Sequence, residues 1–234
     1  MQTASVVDPG RLRAGAQLSA AAFCGDAAQG PLIGLTRCTE YPDGIPLPEL
    51  RLNGRYGFTR RFDVGVSAQA LGQLIAPERA FQFGLTTDVK AELLRIPTAG
   101  PTHIVSTGLL GGAALAGRFG LPLWAQLEWG VPLFYGLSFE RWEFVVGANL
   151  SQRALFARLG TDAARRPSDT WRLGLVLGLF RKNPVSWGIQ LGYLTDPARF
   201  STGAIQLQFG WFFERSVGRE TAPSEGGAGR VSEG

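Results

Sequence analysis

Two kinds of residue in this chain could do chemistry. The first is His103, the only histidine. Acyl transfer needs a nucleophile beside a base, so a Ser-His system here would have to use it. Ser106 is three residues away, and on an extended strand that spacing sends the two side chains to opposite faces. Ser67 or Ser138 would have to approach from elsewhere in the fold. His103 follows Pro97–Thr102, a turn-like stretch, and reads as a turn-flanking residue; the expectation is no catalytic residue. The second kind is charge. Arg51, Arg55, Lys90, Arg153 and Arg172 alternate with apolar residues, as do Glu49, Asp63, Asp88, Glu92, Glu128 and Glu143. The two signs nearly balance. A selective pore shows one sign in excess, whereas balanced charges in a narrow apolar space pair with one another.

Strands must position these charges. In Gly203–Phe213, Ile205, Leu207, Phe209, Trp211 and Phe213 share one face. Trp171–Leu179 repeats the arrangement, with Leu173, Leu175 and Leu177 against Arg172, Gly174 and Gly178. Trp187–Tyr193, Phe81–Leu93, Trp142–Ser151, Glu49–Phe58 and Arg11–Ser19 alternate likewise. Residues 62–73 and 121–137 extend the series, and 103–116 joins it faintly. That amounts to about ten strands of roughly 9–13 residues, the length a tilted strand needs to cross a bilayer. Connections at 59–61, 138–141 and 181–186 are short, while 24–48 and 156–170 are long. Short turns at one end and long loops at the other belong to transmembrane barrels.

The fold class expected is therefore all-β: a single antiparallel transmembrane up-and-down β-barrel of about ten strands. Residues 1–10 form an N-terminal extension, 11–213 the barrel and 214–234 a disordered tail rich in Gly, Ser, Glu and Arg. Tyr56, Phe58, Tyr135, Trp142, Trp187, Trp211 and Phe213 fall beside the short turns, as an interfacial aromatic girdle would. The lumen-lining charges expected are Arg51, Arg55, Asp88, Lys90, Glu92, Glu128, Glu143, Arg153 and Arg172. A soluble sandwich or a ligand-binding soluble barrel also alternates. Mid-strand charges on one face, a face rich in Leu and aromatics on the other, and the lack of a helix to cover a sheet favour lipid.

Of the 32 glycines, many fall on the inward face, which suits a narrow curved sheet. Net charge is +4 and spread along the chain, unlike the concentrated patch of a nucleic-acid binder. No run of about 18 apolar residues marks a membrane helix. Met1–Gly10 has no export segment, which is the expectation for a processed or trimmed exported chain. Cys24 and Cys38 lie in the first long connection. A disulfide between them would close a loop of about 15 residues and contribute about 3 kcal/mol. Two cysteines and one histidine do not make the usual four-ligand metal set, and no cofactor is expected. Pro122 and Pro132 sit inside strands and predict a bulge or distortion there.

On this patterning over residues 11–213 the chain resembles bacterial outer-membrane β-barrel proteins, of an uncharacterised small-barrel type. Gln208-Phe209-Gly210-Trp211-Phe212-Phe213 looks like their closing strand, though about twenty residues follow it here. Leu50–Gly65 looks like a hairpin common in such proteins. The barrel deacylases of that class pair His and Ser two residues apart, an arrangement absent here. The resemblance implies an outer-membrane location, contact with outer-membrane lipids and the barrel-assembly machinery, and a monomer. Lipopolysaccharide phosphates are a further partner, through Arg158, Arg165 and Arg166, although Asp162 and Asp169 beside them equally fit a solvated loop. The function expected is structural, or limited passage of small solutes through a charge-balanced lumen. The alternatives are a lumenal small-molecule or lipid binder, including a soluble periplasmic one, and less so a lipid-modifying enzyme.

Overall fold

In the computed structural model the described residues are 3–24, 47–71, 81–117, 123–159, 168–182, 186–196 and 199–217. They form ten strands: β1 (Arg11–Cys24), β2 (Leu47–Thr59), β3 (Phe62–Leu71), β4 (Phe81–Pro97), β5 (Thr102–Gly117), β6 (Leu123–Ser138), β7 (Trp142–Leu159), β8 (Ser168–Arg181), β9 (Ser186–Asp196) and β10 (Arg199–Ser216). Each pairs antiparallel with the next, and β1 pairs with β10, so the sheet closes without a free edge. No helix among the described residues is long and apolar enough to cross a membrane.

The alternation read from the sequence is the in–out alternation of this barrel. Leu52 and Leu177 are each 56% exposed on the outer face, and Leu175, Leu191 and Leu207 stand beside them. Their neighbours Gln17, Lys90, Glu143, Gln190 and Gln208 point inward and are buried. An outer belt of exposed leucine around a polar interior inverts the layout of a protein dissolved in water. The strands exceed the expected length at several ends. β7 and β10 reach 18 residues, and the faint stretch at 103–116 is the 16-residue β5.

Pro132 interrupts the ladder on one side of its strand only, where the pairing with β5 lapses between Thr107/Leu133 and Leu110/Gly130. On the other side β6 runs past it in unbroken register with β7, where Pro132 faces Asn149, and the β5 ladder resumes after the gap in the same register. The Thr107 hydroxyl donates to the Pro132 carbonyl at 2.8 Å, a contact across the ladder where the proline lacks its own N–H. Register shifts fall at Gly57/Thr59, Glu92/Leu94, Trp124/Ala125 and Arg199/Gly203. Pro122 lies outside the described residues.

The ends of β2, β4, β6 and β8 and the starts of β3, β5, β7 and β9 all lie at one end, together with the start of β1 and the end of β10. Val217 N donates to the Gly10 carbonyl at 2.8 Å, tying the two ends of the barrel together at that mouth.

Candidate functional site

The polar, small stretch before β1 is not a free extension. Gly10, at φ +72°, turns the chain out of β1, and residues 3–8 run into the short-turn end of the lumen. There Ala4, Val6 and Val7 are buried. Two glycines make this approach feasible. A Cβ at Gly57 would collide with the backbone carbonyls of Val7 and Asp8, and one at Gly136 would strike Ala4. The segment bridges in parallel to the inner surface at Pro9–Gly57, and Gly10 N donates to the Gly57 carbonyl at 2.9 Å.

Burying backbone without sheet partners requires other groups to satisfy its N–H and C=O. Three buried side chains supply them. Glu143 accepts Ala4 N at 2.7 Å, Ser5 N at 3.0 Å and the Ser5 hydroxyl at 2.6 Å. Lys90 donates to the Thr3 carbonyl at 3.0 Å and the Ser5 carbonyl at 2.6 Å. Asp63 accepts Val7 N at 2.8 Å. Carboxylates take the amide protons and an ammonium takes the carbonyls, so the grip is almost wholly on main chain.

These charges are balanced. Arg55 forks between Asp63 and Asp88, and Lys90 lies 3.6 Å from Asp63, so two cations face two anions. Arg95 holds Glu92 through two hydrogen bonds of 2.7 Å, and Lys182 lies 3.7 Å from Glu143. Arg13 pairs with Glu214 at the seam. Beside the ions an apolar cluster of Ile104, Phe134, Val145, Phe180 and Phe212 closes around Ala4. The rings of Phe134, Phe180 and Phe212 lie over glycines on neighbouring strands: Gly147, Gly188 and Gly15 respectively, each too close for any Cβ. The inward glycines are thus receptacles for large side chains as well as aids to curvature. Beside the segment a cavity of about 230 Å³ remains at the mouth, lined by Thr3, Arg13, Arg95, Lys182 and Glu214 among others.

Of the lumen charges expected from sequence, Arg55, Asp88, Lys90, Glu92 and Glu143 come together here. Arg51 lies deeper and donates to Gln69 at 2.7 Å. Glu128 and Arg172 face inward and half-buried on β6 and β8. Arg153 is the ladder partner of Glu128. Sequence reading omitted Arg13, Arg95, Lys182 and Glu214, and it missed the N-terminal segment.

His103 lies on the outer side of β5, where its Nδ1 meets the Tyr135 hydroxyl at 2.7 Å, while Ser106 is fully buried on the inner side. Ser138 takes its hydrogen bond from Lys182. No group of three or more metal-ligating side chains exists among the described residues. Cys24 ends β1 opposite Gly203. Cys38, and with it the Cys24–Cys38 bridge, lies outside the described residues, as do Arg165 and Arg166.

On the outer face the short-turn end carries aromatic pairs. Tyr56 meets Phe58 edge-on at 4.9 Å, Trp142 meets Trp187 at 5.7 Å, and Phe209 meets Trp211 at 4.5 Å. Phe213 is 66% exposed, and Tyr135 is exposed beside His103.

No protein family model matches the chain, and no curated protein does. Solved structures do resemble it. They include the outer membrane protease OmpT from Escherichia coli, at 7% identity over 88% of this chain and 96% of that one, TM-score 0.40. The outer membrane protein OprG from Pseudomonas aeruginosa is 14% identical over 91% and 99%, TM-score 0.37. Ail, the attachment invasion locus protein of Yersinia pestis, is 10% identical over 88% and 99%, TM-score 0.31. The likeness is to outer-membrane β-barrel proteins.

Proposed function

We propose that this chain is a monomeric outer-membrane barrel whose lumen is shut at the short-turn end by its own N-terminal segment. Small solutes pass only when that segment leaves. The observation that carries this reading is the grip of Glu143, Lys90 and Asp63 on the main chain of residues 3–8. The exposed leucine belt supports a lipid setting for the barrel, and the aromatic pairs would sit at headgroup level on the short-turn side. The reading includes no catalytic step, because His103 and Ser106 occupy opposite faces of the wall. Outer-membrane lipids and the assembly machinery are its partners.

The test is single-channel conductance in planar bilayers, comparing the full chain with a variant lacking residues 3–8, both shown to be inserted. The full chain should be silent or open rarely, and the deletion should give discrete, lasting steps. Equal currents from both would refute the gate.

A further inference from the structure

The cavity of about 230 Å³ beside the seated segment is lined by five cations: Arg11, Arg13, Arg95, Arg181 and Lys182. Three carboxylates line it too, Asp8, Glu143 and Glu214. Two of these are engaged at hydrogen-bonding distance. Glu214 takes Arg13 Nε at 2.6 Å, and Glu143 accepts three hydrogen bonds from Ala4 and Ser5. Asp8 lies on the exposed rim, 3.8 Å from Arg11. Even with Glu92, which holds Arg95 from outside the lining, the cations stay in excess.

Their donors are not used up. Arg95 gives Nε and Nη2 to Glu92, and its Nη1 has no partner among the described residues. Lys182 donates to the neutral oxygens of Ser138 and Phe139 and stands 3.7 Å from Glu143, beyond hydrogen-bonding distance. Arg11 comes no nearer than 3.8 Å to Asp8 or Glu214. No carboxylate among the described residues lies within ion-pair distance of Arg181. These groups belong to β1, β4 and the end of β8, so cations surround the space from several walls.

We propose that the mouth cavity binds a small dianionic oxyanion of the phosphate or phosphate-monoester class. A tetrahedral dianion offers acceptors in every direction, and guanidinium and ammonium groups make their strongest hydrogen bonds to such acceptors. A neutral solute would leave the excess positive charge unmatched. The inference rests on the gate reading and names an occupant that would hold the gate shut. With residues 3–8 seated, the Glu143 carboxylate is occupied by Ala4 and Ser5, which leaves Lys182 to the cavity. With them gone, Glu143 would stand bare at the same space, take Lys182 and repel an anion. Anion and seated segment therefore favour each other, and that coupling is reciprocal.

The experiment is isothermal titration calorimetry on the full chain refolded in a maltoside detergent, which carries no phosphate. Low ionic strength keeps the exposed charges unscreened. Inorganic phosphate and glycerol phosphate are the probes; chloride and acetate at matched ionic strength are the comparators. A phosphate probe should saturate one site with affinity about tenfold or more above either comparator. Whichever probe binds tighter identifies the occupant as free ion or ester. K182Q combined with R181Q should weaken binding by about tenfold or more, and so, separately, should R95Q. If one variant does not refold, the other decides. No saturable heat from either phosphate probe, equal binding of a comparator, or affinity unchanged in a folded cation variant would overturn the site. Affinity unchanged by removal of residues 3–8 would overturn its link to the segment. Binding is read in micelles, so it stands apart from conductance: a chain that binds phosphate yet conducts like the deletion variant would refute the gate and leave the anion site.

Discussion

The Glu143 carboxylate holds Ser5 twice, accepting its N–H at 3.0 Å through one oxygen and its hydroxyl at 2.6 Å through the other. The two residues are 138 positions apart, on the wall and on the segment that fills the mouth. Replacing Glu143 with alanine strands the amides of Ala4 and Ser5, and each unsatisfied N–H costs about 1–3 kcal/mol if it stays buried. The segment should leave the lumen instead. Limited proteolysis with mass spectrometry should then find cleavage within residues 3–8 in E143A and none in the parent.

Gly57 separates the gate from the wall. A methyl at this position runs into the carbonyls of Val7 and Asp8. Gly57→Ala should therefore expel the segment with the barrel intact. The expected result is conductance like that of the deletion variant, with the heat-resistant compact form on unboiled gels unchanged. A silent G57A would mean that the segment tolerates displacement within the lumen.

Phe134 and Gly147 form a ring-and-receptacle pair across β6 and β7. Gly147→Ala should cost about 1–3 kcal/mol by overpacking. The same substitution in a Phe134→Ala background should cost much less, since the ring that it strikes is gone. Urea titration of the four proteins, read as a double-mutant cycle, gives the coupling.

Leu175 tests which face meets lipid. It is 44% exposed on the outer face of β8. Leu175→Arg should destabilise the folded barrel in vesicles by about 2–4 kcal/mol if the site lies near the bilayer midplane. Folding efficiency into lipid vesicles checks this. A variant that folds as well as the parent would assign the leucine face to something other than acyl chains.

The strands were legible because a two-sided wall writes its sides into alternate residues. Leu173, Leu175 and Leu177 against Arg172, Gly174 and Gly178 leave one reading of the face, and the turn lengths leave one reading of the topology. The balance of inward charge likewise foretold pairing, and Arg55 with Asp63 and Asp88 realises it. The plug was hidden for a physical reason. Its burial rests on main-chain hydrogen bonds, which no side-chain pattern records, and its own side chains are all short. Pro132 left its mark on one side only: the ladder to β5 lapses there, while the ladder to β7 runs on. Phe134, Phe180 and Phe212 did leave a signal: each is a large ring on the polar face. Recognising it requires the register that sets Phe134 opposite Gly147 and Phe212 opposite Gly15.

The segment at the mouth reaches Asp63 and Lys90 on the paired strands β3 and β4 and Glu143 on β7, two walls that the sheet itself does not join directly. A hollow tube flattens easily under lateral pressure, whereas one with a spoke across it keeps its cross-section. Residues 3–8 are that spoke. With them seated the mouth is a braced ring; with them gone it is free to become oval, so the event that would open the lumen would also soften the end of the barrel that holds it.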